Sequence, residues 1–472
     1  MSNEKKGSLE NEKRGSLVQS IGILLFLIAA IASGMQLFGA DVHIPLLLAA
    51  CVAAVVAVYN GFTWSELEEG IVDTISSAMG AIIILMIIGI VVGTWKAAGI
   101  IPTMIFYGLQ ILSPGIFLVA TLLVTSVVSL AIGSSWTTAA TVGIALMGVG
   151  QGLGIPAPII AGAIISGAYF GDKMSPLSDT TNLAPAVAGA TLFDHIRHMI
   201  YTTGVSYIIT LVIFAVIGMR YAGSALDIEQ IAAINGAITG TFTVTPLLLL
   251  PPVLVITMVA FKTPAIPGLF GGGLLGGIFA MIFQGADMTT VIGAAHYGYD
   301  VDTGLAMVND LVNGGGMDSM MWTISLILSA MIFGGIMDKA GFLEVIVERL
   351  AKMAKTTGQL VLTTVLTEIF MNLTAGDQYL AIVLPGKMFK DEYAKRGLKP
   401  KNLSRVLEDA GTLTSPLVPW NSCGAYMWAT LGVHPFAYLP YAYLNLINPV
   451  VSVIYGFTGF TMEHFDDWEE AA

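Results

Sequence analysis

The feature that most constrains the fold of this chain is the length of its charge-free segments. From Ala97 to Gly171 the sequence contains no Asp, Glu, Lys or Arg. A helix that crosses a bilayer needs roughly 20 consecutive apolar residues, and stretches of that length recur along the chain. Of the 472 residues, 55% are hydrophobic and 11% are charged, and the mean hydropathy is +0.80. The sequence therefore predicts an all-α polytopic membrane protein rather than a soluble domain.

Matching motifs in the same order indicate an internal repeat. GDKMSPL at 171–177 corresponds to GTLTSPL at 411–417, and GTWKAAG at 93–99 corresponds to GIMDKAG at 335–341. The two offsets, from 171 to 411 and from 93 to 335, are 240 and 242 residues. We predict that each half contains five transmembrane helices, and an odd number of crossings per repeat requires the two halves to be inverted.

The apolar segments predict the following spans in the two halves: 18–38, 43–60, 75–95, a broken span at 156–194 and 199–219, then 245–262, 266–284, 319–337, a broken span at 401–433 and 440–459. Between the third and the broken span, each half contains a helical hairpin, at about 105–150 and 345–395. We expect both hairpins to be re-entrant, with polar tips at GSSW (133–136) and TAGD (374–377). The segment 64–75 is predicted to be an interfacial amphipathic helix.

These spans define the predicted domains: a cytoplasmic tail at 1–17, a first inverted repeat at 18–222, a linker at 223–244, a second inverted repeat at 245–460 and an acidic tail at 461–472. With the N-terminus inside, 17 of the 20 Lys and Arg residues lie on the cytoplasmic side. Such a bias follows the positive-inside rule. We therefore expect a multi-pass protein of the cytoplasmic membrane with both termini in the cytoplasm. Lys173 falls within the first broken span.

Prolines interrupt the fourth span of each half. Pro176 has no N–H to donate to the carbonyl of Asp172, and Pro416 has none to donate to the carbonyl of Thr412. Pro176 also pushes Ser175 out of helical geometry. Non-helical backbone at membrane depth is tolerated only where it is buried in protein or lines a cavity. The freed carbonyls and nearby hydroxyls are oxygen ligands of the kind that suit a hard cation such as Na⁺.

Asp179 is the leading ion-binding residue in this interpretation. It lies beside hydroxyl and amide side chains at Ser175, Thr180, Thr181 and Asn182. An intramembrane carboxylate is costly unless it is paired or protonated, so it suggests a functional site. Because burial favours the protonated form and a bound cation favours the ionised form, one aspartate can hold either H⁺ or Na⁺. Mutual exclusion at one group would then produce exchange.

The second half carries its acid at a different position. Pro419 stands at the position that corresponds to Asp179, whereas Asp377 lies at the hairpin tip, where the first half has Ser134 and Ser135. Inversion would bring both tips and both breaks towards one central site. The predicted Na⁺ ligands are Asp179, Thr181 and Asp377.

Other interpretations of the same residues remain open. Asp172 could form a local ion pair with Lys173, and Asp179 could be a helix cap with no ligand role. Glu368 and Asn372 precede the second tip by helical spacing, and they fit either a site or a packing contact within the hairpin.

At this point the central stretch supports a more specific comparison. GDKMSPLSDTTNLAPAVAG, followed by LFDHI, closely resembles the signature region of the NhaC family of sodium/proton antiporters, which belongs to the ion transporter superfamily. The predicted spans and inverted repeat match the architecture of that superfamily across nearly the whole chain. By motif position, the resemblance points to five residues: Asp172, Ser175, Asp179, Thr181 and Asn182. The second-half stretch reads SPLVPWN at 415–421, which supplies Ser415 and Asn421 but no aspartate.

The resemblance implies a secondary active transporter that exchanges Na⁺ for H⁺ across the cytoplasmic membrane by alternating access. Proteins that resemble this family also exchange malate for lactate, so a cation-coupled organic acid exchanger is the alternative. That alternative needs a cationic or helix N-terminal anion site, for which Lys173 and the tip amides are candidates.

The remaining expectations concern activity and partners. No H-E-x-x-H or G-x-S-x-G motif occurs, so we do not expect an enzyme. We expect no cofactor beyond the transported Na⁺ and H⁺. The predicted partners are the lipid bilayer, these two ions, small organic acids in the alternative function, and a second copy in a homodimer, which the superfamily resemblance suggests. We expect no nucleic-acid partner.

Overall fold

The structure is a computed structural model that describes residues 13–222, 228–261 and 263–465. Most of the predicted N-terminal tail (1–17), part of the linker (223–244) and most of the acidic tail (461–472) therefore lie outside the described residues. Within those residues the regular secondary structure is helical, apart from two isolated β-bridges, Tyr299–Gly314 and Leu398–His464. The prediction of an all-α protein is confirmed for the described residues.

The first part of the chain forms these helices: α1 Leu17–Phe38, α2 His43–Tyr59, α3 Trp64–Ala97, α4 Ile100–Ile111, α5 Pro114–Ile132, α6 Ser135–Thr138, a π-helical turn Ala139–Gly143, α7 Ile144–Gly152, α8 Ala157–Met174, α9 Asp179–Ala188 and α10 Leu192–Ala222.

The second part forms these helices: α11 Ile228–Thr241, a 3₁₀ turn Pro246–Leu249, α12 Leu250–Ala260, α13 Ala265–Gln284, α14 Met288–Tyr297, α15 Ala306–Val312, a 3₁₀ turn Met317–Met320, α16 Met321–Lys339, α17 Phe342–Met353, α18 Thr357–Thr374, α19 Gln378–Lys395, α20 Pro400–Val406, a π-helical turn Leu407–Thr412, a 3₁₀ turn Ser415–Leu417, α21 Ser422–Leu431, α22 Pro435–Tyr438, a 3₁₀ turn Leu439–Tyr441 and α23 Tyr443–Thr458.

Several of these helices have the length and composition of membrane spans. Among the described residues, six are long and apolar enough to cross a bilayer, or eight if each of two sharply bent helix pairs is one span. The multi-pass character of the chain follows from these helices. α5 is one of the six, although we predicted it to be the first arm of a re-entrant hairpin.

The helix α3 corrects one prediction. It runs without interruption from Trp64 to Ala97, so the prediction of a separate interfacial helix at 64–75 is wrong. Thr63 begins it with a capping box, in which its hydroxyl accepts from the Glu66 N–H and the Glu66 side chain accepts from the Thr63 N–H. At 1.5 Å per residue α3 is about 50 Å long, more than the ~30 Å hydrocarbon core of a bilayer. Its acidic first turns can therefore extend into water.

Ion pairs hold the start of α3 against neighbouring helix ends. Lys13 Nζ lies 3.0 Å from Glu66, and Lys339 Nζ at the end of α16 lies 2.8 Å from Glu69. Arg14 lies 2.9 Å from Glu344 in α17. These ion pairs hold the start of α3, the end of α16 and the start of α17 together at one end of the helix bundle.

Both predicted helix breaks are present. The first break, residues 175–178, separates α8 from α9, and the second break, residues 413–421, separates the π-helical turn from α21. The carbonyls that the prolines release are satisfied within each break. Thr181 Oγ1 donates to the carbonyls of Asp172 (3.2 Å) and Lys173 (3.0 Å), and Ser415 Oγ donates to the Thr412 carbonyl at 2.7 Å.

The two predicted tips share one backbone design. α5 ends at Gly133, with φ 75°, and Ser134 then caps the next helix by accepting from the Thr137 N–H at 3.2 Å. α18 is followed by Gly376, with φ 67°, and Asp377 caps α19 by accepting from the Leu380 N–H at 3.0 Å. Positive φ favours glycine, so each glycine lets the chain reverse directly before a polar cap. We call residues 133–134 the first tip and residues 375–377 the second tip.

The first tip is fixed by close packing between α5 and α8. A Cβ atom added to Gly167 would lie 2.5 Å from the Leu122 carbonyl oxygen, and one added to Gly171 would lie 2.5 Å from the Ser126 carbonyl oxygen. Real Cβ atoms do not approach backbone so closely, so these glycines allow the two helices to touch. This helix contact places the first tip next to the first break.

We expect Gly167→Ala and Gly171→Ala each to destabilise the protein by about 1–3 kcal/mol, because the added methyl group collides with the backbone of α5. Helix propensity alone would give the opposite sign, since alanine is favoured over glycine by ~1 kcal/mol. Thermal unfolding of the purified protein in detergent measures the effect. Gly204→Ala in α10 is the control, because its Cβ would meet only Ile200 Cγ2, at 3.9 Å. Equal melting temperatures for all three variants would contradict this packing.

Candidate functional site

A cavity of about 280 Å³ lies where the two tips meet the two breaks, and α3 forms one of its walls. Six of the residues predicted from the sequence line it: Ser134, Ser135, Asp172, Asp179, Thr180 and Asp377. The two tips and the residues beside the two breaks therefore come together in space, although Asp172 and Asp377 lie in different halves of the sequence. α3 contributes Ser77 and the small residues Ala78, Gly80 and Ala81.

Asp172 is one of two buried carboxyl groups at this cavity. Its residue is 6% exposed, and Asp377 is 1% exposed. Oδ2 accepts two hydrogen bonds from Ser135, directly after the first tip: from its N–H at 3.0 Å and from its hydroxyl at 2.6 Å. Oδ1 is buried and has no hydrogen-bond partner. A buried carboxylate oxygen without a partner is costly, so this atom is suited to receive a cation or a proton.

Asp179 lies at the rim of the cavity, where it connects the two halves. The Tyr379 hydroxyl, from the first turn of α19, donates to Asp179 Oδ2. Oδ1 accepts from the N–H of Thr180 at 3.0 Å. The N-cap of α9 is Ser178, whose hydroxyl accepts from the Thr181 N–H. Asp179 is exposed rather than buried, and it follows the N-cap residue rather than being the N-cap itself.

The other predicted residues of the first break stabilise its backbone and do not line the cavity. Thr181 is fully buried, and its hydroxyl donates to the carbonyls freed by Pro176. Asn182 is exposed, and its side-chain amide donates to the carbonyls of Pro176 and Ser178. Ser175 Oγ accepts from the Leu177 N–H at 3.2 Å. These three residues therefore hold the backbone at the first break.

Three predicted residues of the second half form a corresponding support. The Asn372 amide donates to the Gly411 carbonyl at 2.8 Å, and the Asn421 amide donates to Asn372 Oδ1 at 3.0 Å. Ser415 Oγ lies 3.1 Å from Gln378 Oε1. These contacts join α18 to the second break, so Asn372 is more than a packing contact within its hairpin.

The lining residues that were not identified from the sequence include Trp136, Gln378, Tyr379 and Cys423. Trp136, Gln378 and Tyr379 lie within the first turn after a tip, and this position was the available signal. Cys423 follows the second break, and its Sγ lies 2.6 Å from Gln378 Oε1. Trp136 stacks on Tyr426, with ring centroids 3.9 Å apart, so the aromatic side of the cavity also joins the two halves.

Lys173 does not pair with Asp172, which overturns that interpretation of the sequence. Its Nζ lies 2.5 Å from Asp409 Oδ1 in the π-helical turn before the second break, and both side chains are fully buried. Asp409 Oδ1 also accepts from Thr202 at 2.9 Å and from Asn448 at 2.7 Å. The sequence contained a signal for this residue, because Glu408 and Asp409 are acids inside a predicted span. We did not identify either one.

The cavity is therefore lined by acidic side chains and by no basic ones among the described residues. Three carboxyl groups line it, from Asp172, Asp179 and Asp377, and its lining residues include no Lys or Arg. Lys173, which we had considered for an anion site, is held by Asp409 instead. Within the described residues no group of three or more His, Cys, Asp or Glu side chains is arranged to hold a metal ion.

Comparison with known proteins identifies the family. The profile of the Na⁺/H⁺ antiporter family matches residues 167–460. A Na⁺/H⁺ antiporter NhaC from Alkalihalophilus pseudofirmus is 41% identical over 95% of this chain and 97% of its own length.

Two further relatives carry other cargo. A malate-2H⁺/Na⁺-lactate antiporter from Bacillus subtilis is 38% identical over 94% of this chain and 95% of its own length. An arginine/ornithine antiporter from Halobacterium salinarum is 40% identical over 98% of this chain and 95% of its own length. The family match and the near-complete coverage establish that this chain belongs to the NhaC family of Na⁺/H⁺ antiporters.

Proposed function

We propose that this protein is a secondary active transporter that exchanges Na⁺ for H⁺ across the cytoplasmic membrane, with the cavity between the tips and breaks as its cation site. The observation that carries the proposal is Asp172. Its Oδ1 atom is buried without a hydrogen-bond partner at a cavity lined by three carboxyl groups and by no basic side chain. Similarity to Na⁺/H⁺ antiporters over nearly the full chain supports the same function.

The proposed chemistry follows from the carboxyl groups. Ser135 donates two hydrogen bonds to Asp172 Oδ2, which favours the ionised form, while burial favours the protonated form. Na⁺ bound at Asp172 Oδ1 would replace the water lost on burial. When Na⁺ leaves, a proton taken up in its place removes the uncompensated charge. Because either ion offsets the same charge, the two compete.

We further propose that the site works by alternating access between two inverted repeats, 18–222 and 245–460. Each repeat supplies one glycine tip, one proline break and at least one carboxyl group to the cavity. The Asp179–Tyr379 hydrogen bond and the Trp136–Tyr426 stack cross between the repeats. Contacts of this kind can break on one side of a cavity while the other side closes, which is what alternating access requires.

A cation-coupled organic acid exchanger is the second candidate, and cavity size favours it. The cavity of about 280 Å³ is much larger than the ~30 Å³ that one water occupies in the liquid, so it has room for a small organic molecule. The malate-2H⁺/Na⁺-lactate antiporter from Bacillus subtilis is a relative of this kind. The three carboxyl groups would then require Na⁺ or protons to enter with the anion.

We expect Asp172→Asn to weaken Na⁺ binding by about 2–5 kcal/mol, because it removes a charged ligand while it keeps the shape of the side chain. The exchange rate at low Na⁺ should fall more than ~tenfold. Na⁺-driven pH change in liposomes that contain the purified protein measures it. Asp287→Asn is the matched control, since Asp287 caps α14 at an exposed position and asparagine caps equally well. A wild-type rate in Asp172→Asn would refute the proposed site.

Asp179→Asn should abolish exchange in the same assay, and Tyr379→Phe should raise the KM for Na⁺ by about tenfold. The phenylalanine variant loses a hydrogen bond to a charged group, worth about 1.5 kcal/mol or more, and keeps the ring. Tyr455→Phe is the control, because its hydroxyl donates to the Tyr201 carbonyl at 3.3 Å, away from the cavity. If Tyr379→Phe and Tyr455→Phe behave alike, the Tyr379 hydroxyl does not position Asp179.

The cargo itself can be tested in the same liposomes with labelled malate, lactate, arginine and ornithine. We expect Na⁺ and H⁺ to exchange in the absence of any organic substrate, since the lining carboxyl groups suffice for cations. Uptake of malate or lactate that depends on Na⁺ or on a proton gradient, with no exchange in its absence, would favour the second candidate.

A further inference from the structure

Two buried carboxyl groups lie outside the cavity and have no role in the cation site described above. Glu368 is in α18, and Glu408 is in the π-helical turn Leu407–Thr412. Both residues are 0% exposed. Neither oxygen of either carboxyl group has a hydrogen-bond partner. Four unsatisfied carboxyl oxygens in one region are unusual in a folded protein and require an explanation.

The charged groups that act on Glu408 come from α8. They are Lys173 and Asp172, the latter from the cavity wall. The Thr412 and Thr180 hydroxyls also act on its carboxyl group, but neither meets the geometry of a hydrogen bond. Glu408 directly precedes Asp409, whose carboxylate contacts Lys173, and Lys173 directly follows Asp172. Glu408 therefore lies close to the part of α8 that carries Asp172, where the charge of a bound cation can reach it.

Glu368 lies in α18, which packs against the π-helical turn, as the hydrogen bond from Asn372 to the Gly411 carbonyl shows. The charged groups that act on Glu368 are Asp409, Lys173 and Glu408, and the Gly411 N–H also acts on it without meeting the geometry of a hydrogen bond. Tyr393 of α19 also lies close to Glu368. Two of the three charged neighbours are acids, which opposes ionisation of Glu368.

The basic groups of this region contact Asp409 rather than either glutamate. Lys173 Nζ lies 2.5 Å from Asp409 Oδ1, and Arg405 Nε lies 3.8 Å from Asp409 Oδ2. Both therefore contact Asp409, and no basic group forms an ion pair with Glu368 or Glu408 among the described residues. A fully buried carboxylate with neither a cation nor a hydrogen-bond donor is far too costly to persist, so the group takes up a proton instead.

We propose that Glu368 and Glu408 are the proton-holding groups of the exchange, physically separate from the cation cavity. This inference rests on the proposed Na⁺/H⁺ exchange. Na⁺ and H⁺ then compete through the electric field rather than for one oxygen atom. When Na⁺ binds beside Asp172, its charge favours the ionised form of Glu408, and a carboxyl O–H bond breaks and releases H⁺ to water. When Na⁺ leaves, the carboxylate takes up a proton again.

Infrared difference spectroscopy of the purified protein tests the protonation directly and needs no transport. At neutral pH we expect Glu368→Gln and Glu408→Gln each to remove part of the C=O absorption that belongs to protonated carboxyl groups. Glu392→Gln is the control, because Glu392 is ion-paired with Lys395 and Arg396 near the surface and has no such absorption to lose. An unchanged carboxyl band in the two buried variants would overturn the proposal.

Transport in liposomes tests the coupling. We expect both buried variants to retain exchange of labelled ²²Na⁺ for unlabelled Na⁺, which moves no proton. Their Na⁺-driven proton flux should be at least ~tenfold lower than that of the wild-type protein. Wild-type proton flux in either variant, or the loss of Na⁺/Na⁺ exchange in a variant with an unchanged melting temperature, would overturn the proposal. If the wild-type protein moves no Na⁺ at all, the proposed function fails, and the infrared result alone decides whether the two glutamates hold protons.

Discussion

The buried ion pair between Lys173 and Asp409 is the constraint on which the site depends. Lys173 stands in the last turn of α8, before the first break, and Asp409 stands in the π-helical turn before the second. Both are fully buried, and the removal of either partner would leave an unpaired charge that costs about 3–5 kcal/mol. Since Asp409 also accepts from Thr202 and Asn448, the same carboxylate ties α10 and α23 to this pair. The two breaks are thereby held side by side.

This pairing also decides the charge of the cavity. With Lys173 turned towards Asp409, the carboxyl groups of Asp172, Asp179 and Asp377 remain at the cavity with no basic lining residue. Relatives of similar identity exchange Na⁺, organic acids or amino acids.

Much of the scaffold was predictable because its causes are local. Proline chemistry located the breaks near Pro176 and Pro416, and glycine with a polar neighbour located the tips. The long-range partners were not predictable in the same way. The sequence favoured a pair of neighbours, Asp172 and Lys173, whereas the structure joins Lys173 to a residue 236 positions away. Thr181 was predicted as a Na⁺ ligand, but its hydroxyl is occupied with the carbonyls that Pro176 released.

The sequence by itself determined that this is a helical membrane protein of the NhaC family, with two interrupted helices and carboxyl groups near each interruption. Charge-free length, proline and glycine act on neighbouring residues, so they can be interpreted without a fold. Only the tertiary structure decided which carboxyl groups face the cavity, which one neutralises Lys173 and which two, Glu368 and Glu408, are left buried without a partner. Those outcomes depend on how α5, α8 and α18 pack across the molecule, and no local pattern encodes the distance between side chains hundreds of residues apart.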